Sequence, residues 1–283
     1  MEPSDSPQAN HSASGPMRLD PVFHEKIWGS RRLRPWFKAS GRRIGEVWLT
    51  GCLQPAPVLV KFLFTSQKLS IQVHPSDDFA RRHEGTLGKD EMWYILRAQP
   101  GAAIAYGLRA KKTREELRAA ALSGEIESIL NWMPVKRGDV IYIPAGTIHS
   151  IGKGIALCEV QEISEITYRL YDYGRPRELH LDKAIQSCNL DVHPNKIVPI
   201  ILGNDSRRMV ACSHFLADLL TLEKSYALSS DPAKPFMLII LEGTGKLGKE
   251  PFKAGDGWLI PAGAASLKID PAETCKMIKT FAP

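Results

Sequence analysis

The sequence predicts a mainly β protein made of two barrel or sandwich units, the first interrupted by a helical insertion. Three observations predict it. Short apolar runs recur between turn residues from Glu46 onward, which is the spacing of strands in a sandwich or barrel. The chain carries 22 glycines and 20 prolines, a composition that suits many turns and disfavours a helical bundle. One nine-residue pattern also occurs twice. Gly138-Asp139-Val140-Ile141-Tyr142-Ile143-Pro144-Ala145-Gly146 is matched by Gly255-Asp256-Gly257-Trp258-Leu259-Ile260-Pro261-Ala262-Gly263 at a constant offset of 117 residues. Each copy reads as a Gly-Asp turn, a buried strand and a Pro-Ala-Gly turn that feeds the next strand.

Residues 1–17, with Pro3, Ser4, Ser6, Pro7, Ser12, Ser14, Gly15 and Pro16, lack the apolar core of a signal peptide and the aliphatic mass to fold, so a disordered tail is expected there. Strands are expected over 46–49, 58–64, 69–74, 92–96, 140–143, 148–151, 156–161 and 166–171. A helical insertion is expected over about 110–133: Thr113 and Glu116 form a capping-box pair, Leu117, Ala120 and Ala121 supply a helical stripe, and Gly124 offers a stop. A short helix over 181–188 follows. Pro194 and Pro199 then mark a linker, so the expected units span 18–195 and 196–283. Upstream of the repeated string, Met92 to Leu96 resembles Met237 to Leu241 at the larger offset of 145, and the insertion accounts for the difference.

With 283 residues, 43% hydrophobic and 24% charged, the chain is too apolar for disorder as its main state, and its length suits about two domains. The net charge of +6 suits a small anionic partner such as a phosphorylated metabolite better than a nucleic acid. The stretch Arg31, Arg32, Arg34, Trp36, Phe37, Lys38, Arg42, Arg43 reads as a solvated surface with packed aromatics. Five cysteines (Cys52, Cys158, Cys188, Cys212, Cys275) without a C-x-x-C pair imply reduced thiols. No run approaches the ~18 apolar residues of a membrane span. A soluble, cytoplasmic protein with no nucleic-acid or membrane partner is expected, its oligomeric state left open.

Alternation over 69–74 places Ser70, Gln72 and His74 on one face, opposite Leu69, Ile71 and Val73. Glu91 opens an otherwise apolar strand, where a carboxylate is costly unless a cation pairs with it. His149 follows the Pro-Ala-Gly turn. Two histidines, a carboxylate and an amide carbonyl, from His74, His149, Glu91 and Gln72, form a ligand set of the kind that takes zinc, with iron or manganese as alternatives. The repeat provides an internal control, because His149 becomes Ser266 and Glu91 becomes Phe236 in the second copy. Leu157, Glu159 and Gln161 share one face, as do Glu165, Thr167, Arg169 and Tyr171. Arg169 then either forms an ion pair with Glu165 or Glu159, or stabilises negative charge on a substrate.

Four strings in order, Leu69-Ser70-Ile71-Gln72-Val73-His74-Pro75, Gly88-Lys89-Asp90-Glu91-Met92-Trp93-Tyr94, Pro144-Ala145-Gly146-Thr147-Ile148-His149 and Thr167-Tyr168-Arg169-Leu170-Tyr171-Asp172-Tyr173-Gly174-Arg175, resemble the type I mannose-6-phosphate isomerases in their short bacterial form. The resemblance opens near Leu19, Pro21 and Ile27-Trp28-Gly29 and continues into a weaker second barrel. It implies cupin (jelly-roll) barrels and one zinc (Zn2+) per chain on Gln72, His74, Glu91 and His149. It also implies a catalytic Arg169, and Ser70 and Lys89 at the substrate's phosphate or hydroxyls. Ser76 and Asp90 depart from the family, which usually has asparagine and threonine there.

The activity so implied is interconversion of mannose 6-phosphate and fructose 6-phosphate through an enediol, which needs a base and a partner for the negative oxygen. Glu165, Glu159 and a metal-bound water are the candidate bases. Lys89 is read either as the phosphate's partner or as an exposed loop lysine. The rival readings are a cupin that binds a sugar without turning it over and an iron dioxygenase, in which a fourth ligand Gln72 and an inward Arg169 make less sense.

Overall fold

The computed structural model describes residues 15–38, 41–51, 56–191 and 200–283. Its organisation follows from strict alternation along buried strands. In Leu59–Phe64, Val60, Phe62 and Phe64 face one apolar layer while Lys61 and Leu63 face another. In Glu91–Ala98 the same parity sends Met92, Tyr94 and Leu96 one way and Trp93 and Ile95 the other.

These strands lie in a six-stranded antiparallel sheet, in the order Asp20–Ser30, Ile44–Thr50, Leu59–Phe64, Ile155–Gln161, Glu91–Ala98, Val140–Ile143. Facing it is a five-stranded sheet in the order Tyr168–Tyr171, Ile71–Val73, His149–Ile151, Ala103–Leu108, Leu130–Pro134. Leu63, Trp93, Ile95 and Leu157 from one sheet meet Ile104, Tyr106, Met133 and Ile151 from the other inside this barrel.

A seven-stranded sheet (Met17–Arg18, Gly257–Ile260, Phe236–Glu242, Cys275–Phe281, Leu216–Leu222, Ser206–Ala211, Ile200–Ile201) and a four-stranded sheet (Tyr226–Leu228, Leu267–Pro271, Thr244–Leu247, Glu250–Lys253) form the second barrel. Leu238, Ile240 and Met277 fill it against Leu247, Phe252 and Ile269. The six- and seven-stranded sheets share one apolar layer, in which Phe62, Phe64 and Tyr94 pack with Met209, Phe215, Met237, Ile239 and Ile278. The fold is therefore mainly β, with two cupin barrels back to back.

The repeat is realised in the hydrogen bonding. The pairs Glu91–Ile143, Met92–Tyr142 and Trp93–Ile141 of the first barrel correspond in register to Phe236–Ile260, Met237–Leu259 and Leu238–Trp258 of the second. Both Gly-Asp turns use the same device. Lys136 N donates to Asp139 Oδ2 at 2.8 Å, and Lys253 N donates to Asp256 Oδ2 at 2.9 Å.

Helices Arg114–Ser123, Ile126–Ile129 and Leu181–Ser187 cover the outer face of the five-stranded sheet through Leu117, Ala121, Ile126, Ala184 and Ile185. The capping box forms as expected: Glu116 N donates to Thr113 Oγ1 at 3.1 Å and Thr113 N donates to Glu116 Oε2 at 2.8 Å. The insertion ends sooner than expected, because Leu130 turns to extended backbone and Leu130–Pro134 joins the sheet.

The expected tail also ends sooner. Met17 and Arg18 pair with Leu259 and Trp258 of the second barrel, and Arg18 Nη2 donates to Asp256 Oδ2 at 2.6 Å. Residues 1–14, Cys52 and the expected linker at Pro194 and Pro199, with the 195/196 boundary, lie outside the described residues. Strands Asp20–Ser30 and Ala103–Leu108 and helix Asp77–Glu84 were not expected from the sequence. In the basic stretch, Trp36 and Phe37 are buried and the arginines are exposed. Cys158, Cys188, Cys212 and Cys275 are free thiols. Among the described residues, no helix is long and apolar enough to cross a membrane.

Candidate active site

Inward-facing polar residues of the first barrel converge on a cavity of about 360 Å³. Three neighbouring strands place a row across its wall. His149 stands opposite Gln72, and Gln72 stands opposite Arg169. Glu91 reaches the same place from the facing sheet, where its cross-strand neighbours are Gln161 and Ile143. The solvated reading of the Ser70, Gln72, His74 face is thereby excluded, since Ser70 and His74 are buried and Ser70 and Gln72 line the cavity.

The histidines are oriented by main-chain carbonyls. His74 Nδ1 lies 2.8 Å from Ile166 O, and His149 Nδ1 lies 2.9 Å from Thr147 O. A carbonyl only accepts, so each Nδ1 carries the proton and each Nε2 presents a lone pair. Burial, with the charge of Lys89 adding to it, depresses the His74 pKa to about 3, and burial also lowers that of His149. Both rings are therefore neutral, and their short approaches to a carboxylate are not ion pairs. His74 Nε2 lies 3.3 Å from Glu91 Oε2, and His149 Nε2 lies 3.4 Å from Glu91 Oε1. His74 Nε2 and both Glu91 oxygens are buried without a well-formed hydrogen bond.

Gln72 completes the group, with its amide Nε2 3.3 Å from His149 Nε2 and its Oε1 receiving Ser70 Oγ at 3.0 Å. Turning the amide over presents its oxygen to the same point. Lone pairs converging without a proton between them fit a divalent cation, and the imidazole, carboxylate and amide donors suit zinc.

Three more charged groups, Lys89, Lys61 and Glu159, sit on the floor. Lys89 Nζ lies 3.3 Å from Glu91 Oε2, and Lys89 is buried, which excludes the exposed-lysine reading. Gly88 makes this placement possible, because a Cβ there would lie 2.5 Å from Asp77 N. Lys61 Nζ donates to Gln161 Oε1 at 2.6 Å and stands 3.6 Å from Glu159 Oε1, whose partner oxygen accepts from Trp93 Nε1 at 2.9 Å. Burial, reinforced by the charge of Glu91, raises the Glu159 pKa to about 6 although Lys61 and Lys89 pull the other way. Burial opposes the charge on Lys89, but Glu91 and Glu159 outweigh it and its pKa is raised.

The cavity's more exposed side is cationic. Lys26, Arg169, Arg177 and His180 line it together with the exposed Glu165. Asp172 holds Arg177 by a two-pronged contact, with both distances 2.6 Å. Arg169 forms no ion pair with Glu165 or Glu159; its Nη1 lies 3.4 Å from Glu178 O, and its Nε is buried without a partner. Glu165, Thr167 and Arg169 face this cavity together, as the alternation implied, but an irregularity between Arg169 and Tyr171 breaks the rhythm and Tyr171 packs in the apolar layer beneath the helices.

Lys61, Lys26, Arg177 and His180 were missed by sequence reasoning. Lys61 did carry a signal, being the single charge in the apolar run Leu59–Phe64, the same argument that singled out Glu91. Arg177 and His180 lie beyond the last strand of the barrel, where alternation gives no direction.

Over an aligned length of 313 positions, the chain is 35% identical to mannose-6-phosphate isomerase ManA of Bacillus subtilis (strain 168), covering 92% of this chain and 97% of that protein. The chain belongs to the mannose-6-phosphate isomerase family.

The crystal structure of the mannose 6-phosphate isomerase from Bacillus subtilis is similar at a TM-score of 0.85 and 29% identity, over 94% of this chain and 99% of that one. A zinc-bound mannose 6-phosphate isomerase structure shares the fold at a TM-score of 0.75 and 15% identity, over 95% of this chain and 99% of that one. No family model matches the chain. The two departures from this isomerase family both have structural partners. Ser76 caps helix Asp77–Glu84, accepting from Phe79 N at 3.4 Å. Asp90 is buried among donors.

Proposed function

We propose that this chain interconverts mannose 6-phosphate and fructose 6-phosphate, using one zinc held by Gln72, His74, Glu91 and His149. The observation that carries this reading is the meeting of two neutral Nε2 lone pairs and both Glu91 oxygens in a barrel whose remaining inward charges suit a sugar phosphate. When bound, the ion supplies a Lewis acid that orients and polarises the sugar's carbonyl and hydroxyl oxygens.

The remaining roles fall to the chain's own groups. Glu159, buried with a pKa near 6, takes the role of base over Glu165, because a base works best when its pKa lies near working pH and water is excluded from it. Glu165 is exposed at the rim and is the second candidate. Arg169, with an unpaired Nε, stabilises the negative oxygen of the enediolate. Lys89 was expected at the phosphate, but its ammonium already faces Glu91 on the floor. With Ser70 it therefore serves the sugar's oxygens, and the phosphate falls to the rim cation Arg177.

The reading of a sugar-binding cupin without turnover is disfavoured by this pairing of acid and arginine on one cavity, which binding alone does not require. The test is interconversion of the two sugar phosphates with and without chelator, and with Arg169→Ala. Activity should be lost on chelation and restored by zinc, and should fall by roughly 10²-fold or more in the variant. Metal-loaded protein that turns over neither sugar overturns the isomerase reading. Metal analysis of His149→Ala should show lost zinc, and full retention would refute the ligand set.

A further inference from the structure

The second barrel has Ser266 and Phe236 where the first has His149 and Glu91, yet one of its side chains touches the residue beside Glu91. Between strands Ser206–Ala211 and Leu216–Leu222 the chain makes a tight hairpin, with Cys212 N donating to Phe215 O at 3.1 Å. Phe215 anchors the hairpin in the apolar layer between the barrels, edge-on to Tyr142. That anchor sets His214 over Asp90, with His214 Nδ1 3.1 Å from Asp90 Oδ2 and 3.2 Å from Glu162 Oε1.

Asp90 is the residue between Lys89 and Glu91, and it is almost fully buried. Its carboxylate gathers donors from three places. Ala145 N donates to Oδ1 at 2.7 Å, Tyr142 Oη donates to Oδ2 at 2.6 Å, and His214 adds the third contact. Ala145 belongs to the turn that delivers His149, and the next residue of that turn, Gly146, donates to His74 O at 2.7 Å. Glu162 Oε1 in turn accepts from Asp90 N at 2.7 Å. One carboxylate thus fastens the segment of Glu91 to the turn that precedes His149 and sits beside His74.

We infer that His214 is a positioning residue for the metal site: through Asp90 it fixes the relative placement of Glu91 and His149. This rests on the zinc reading above and deepens it. Groups that orient metal ligands through a hydrogen bond typically change affinity 10- to 100-fold when removed. The second barrel then does more than cover the first, since it contributes the outermost link of the ligand scaffold.

The test is zinc affinity, measured on the full chain by competition with a chromophoric chelator, for wild type, His214→Ala, His214→Asn and Arg208→Ala. Asparagine keeps an amide N–H close to the place of Nδ1. Arg208 pairs with Asp218 on the same hairpin and does not touch Asp90, so it reports on mere loosening of the second barrel. The expected result is zinc binding weakened about tenfold or more in His214→Ala, largely restored in His214→Asn, and unchanged in Arg208→Ala at a comparable loss of thermal stability. Equal affinity in His214→Ala and wild type overturns the positioning role and leaves the metal site standing. An equal loss in Arg208→Ala overturns it too. Absence of zinc binding in wild type overturns the metal site itself.

Discussion

Glu159 is a carboxyl group whose environment opposes its charge: burial comes first, and the charge of Glu91 adds to it, against Lys61 and Lys89. If it is the base, it works only when deprotonated, so turnover should fall on the acid side as Glu159 takes up its proton, at a pH that zinc on Glu91 places below the metal-free value of about 6. Glu159→Gln should abolish that limb together with most of the activity, whereas Glu165→Gln should preserve the limb. A pH–rate profile of both variants decides between them. The same shift has a thermodynamic counterpart in metal-free protein. The folded chain holds the proton at pH values where the unfolded chain has released it, so this group's contribution to stability declines as pH rises from its ordinary 4.5 toward about 6. Among single residues, Gln72 and Glu159 stand on the cavity face that their alternation assigned, and Glu91 was legible as the costly charge at the head of an apolar strand. Lys89 was legible as a cation near Glu91 but not as its buried partner, because that depends on how tightly Gly88 passes the 75–77 backbone.

At the level of elements, those whose local chemistry and packing agree were readable before the structure. Thr113, Glu116 and the Leu117 stripe are such a case, and Thr113→Ala should cost about 1 kcal/mol in chemical denaturation through loss of the cap. Strand Asp20–Ser30 was illegible because it is the outermost strand of the six-stranded sheet and mostly exposed along its first half, so neither face shows an apolar rhythm. Ala103–Leu108 hides behind small residues and a glycine at positive φ. Helix Asp77–Glu84 buries only Ala80 and is defined by its caps, Ser76 and Gly85, more than by any stripe. The hairpin that carries His214 depends on Phe215, fully buried between the sheets. Phe215→Ala should lower unfolding free energy by about 3–5 kcal/mol, as removal of a buried aromatic does. A loss under about 1 kcal/mol would show that the hairpin is held by something other than this anchor.

Across the whole molecule, the repeated string announced two related units, and the matched strand register bears out the repeat. What the string could not announce is that the units share a core. Met209, Met237, Ile239 and Ile278 on the seven-stranded sheet are covered by Phe62, Phe64 and Tyr94 of the six-stranded one. Residues 200–283 made alone should therefore expose a broad apolar face, bind a hydrophobic dye strongly and self-associate. A monomeric, cooperatively unfolding fragment would contradict this. The net charge of +6 also acquires a location, since Lys26, Arg169 and Arg177 stand around one opening.

The pairing of Met17–Arg18 with the second barrel has a consequence for how the chain is made. Arg18 and its partner Asp256 are 238 positions apart. A ribosome releases residues in order, and domains usually fold as they emerge. The strand Met17–Arg18 leaves the ribosome ahead of every other strand described, and it must wait until the Gly257–Ile260 strand follows. The first barrel can close around its ligands while this strand is still unpaired, so its pairing reports assembly of the second barrel and not of the first.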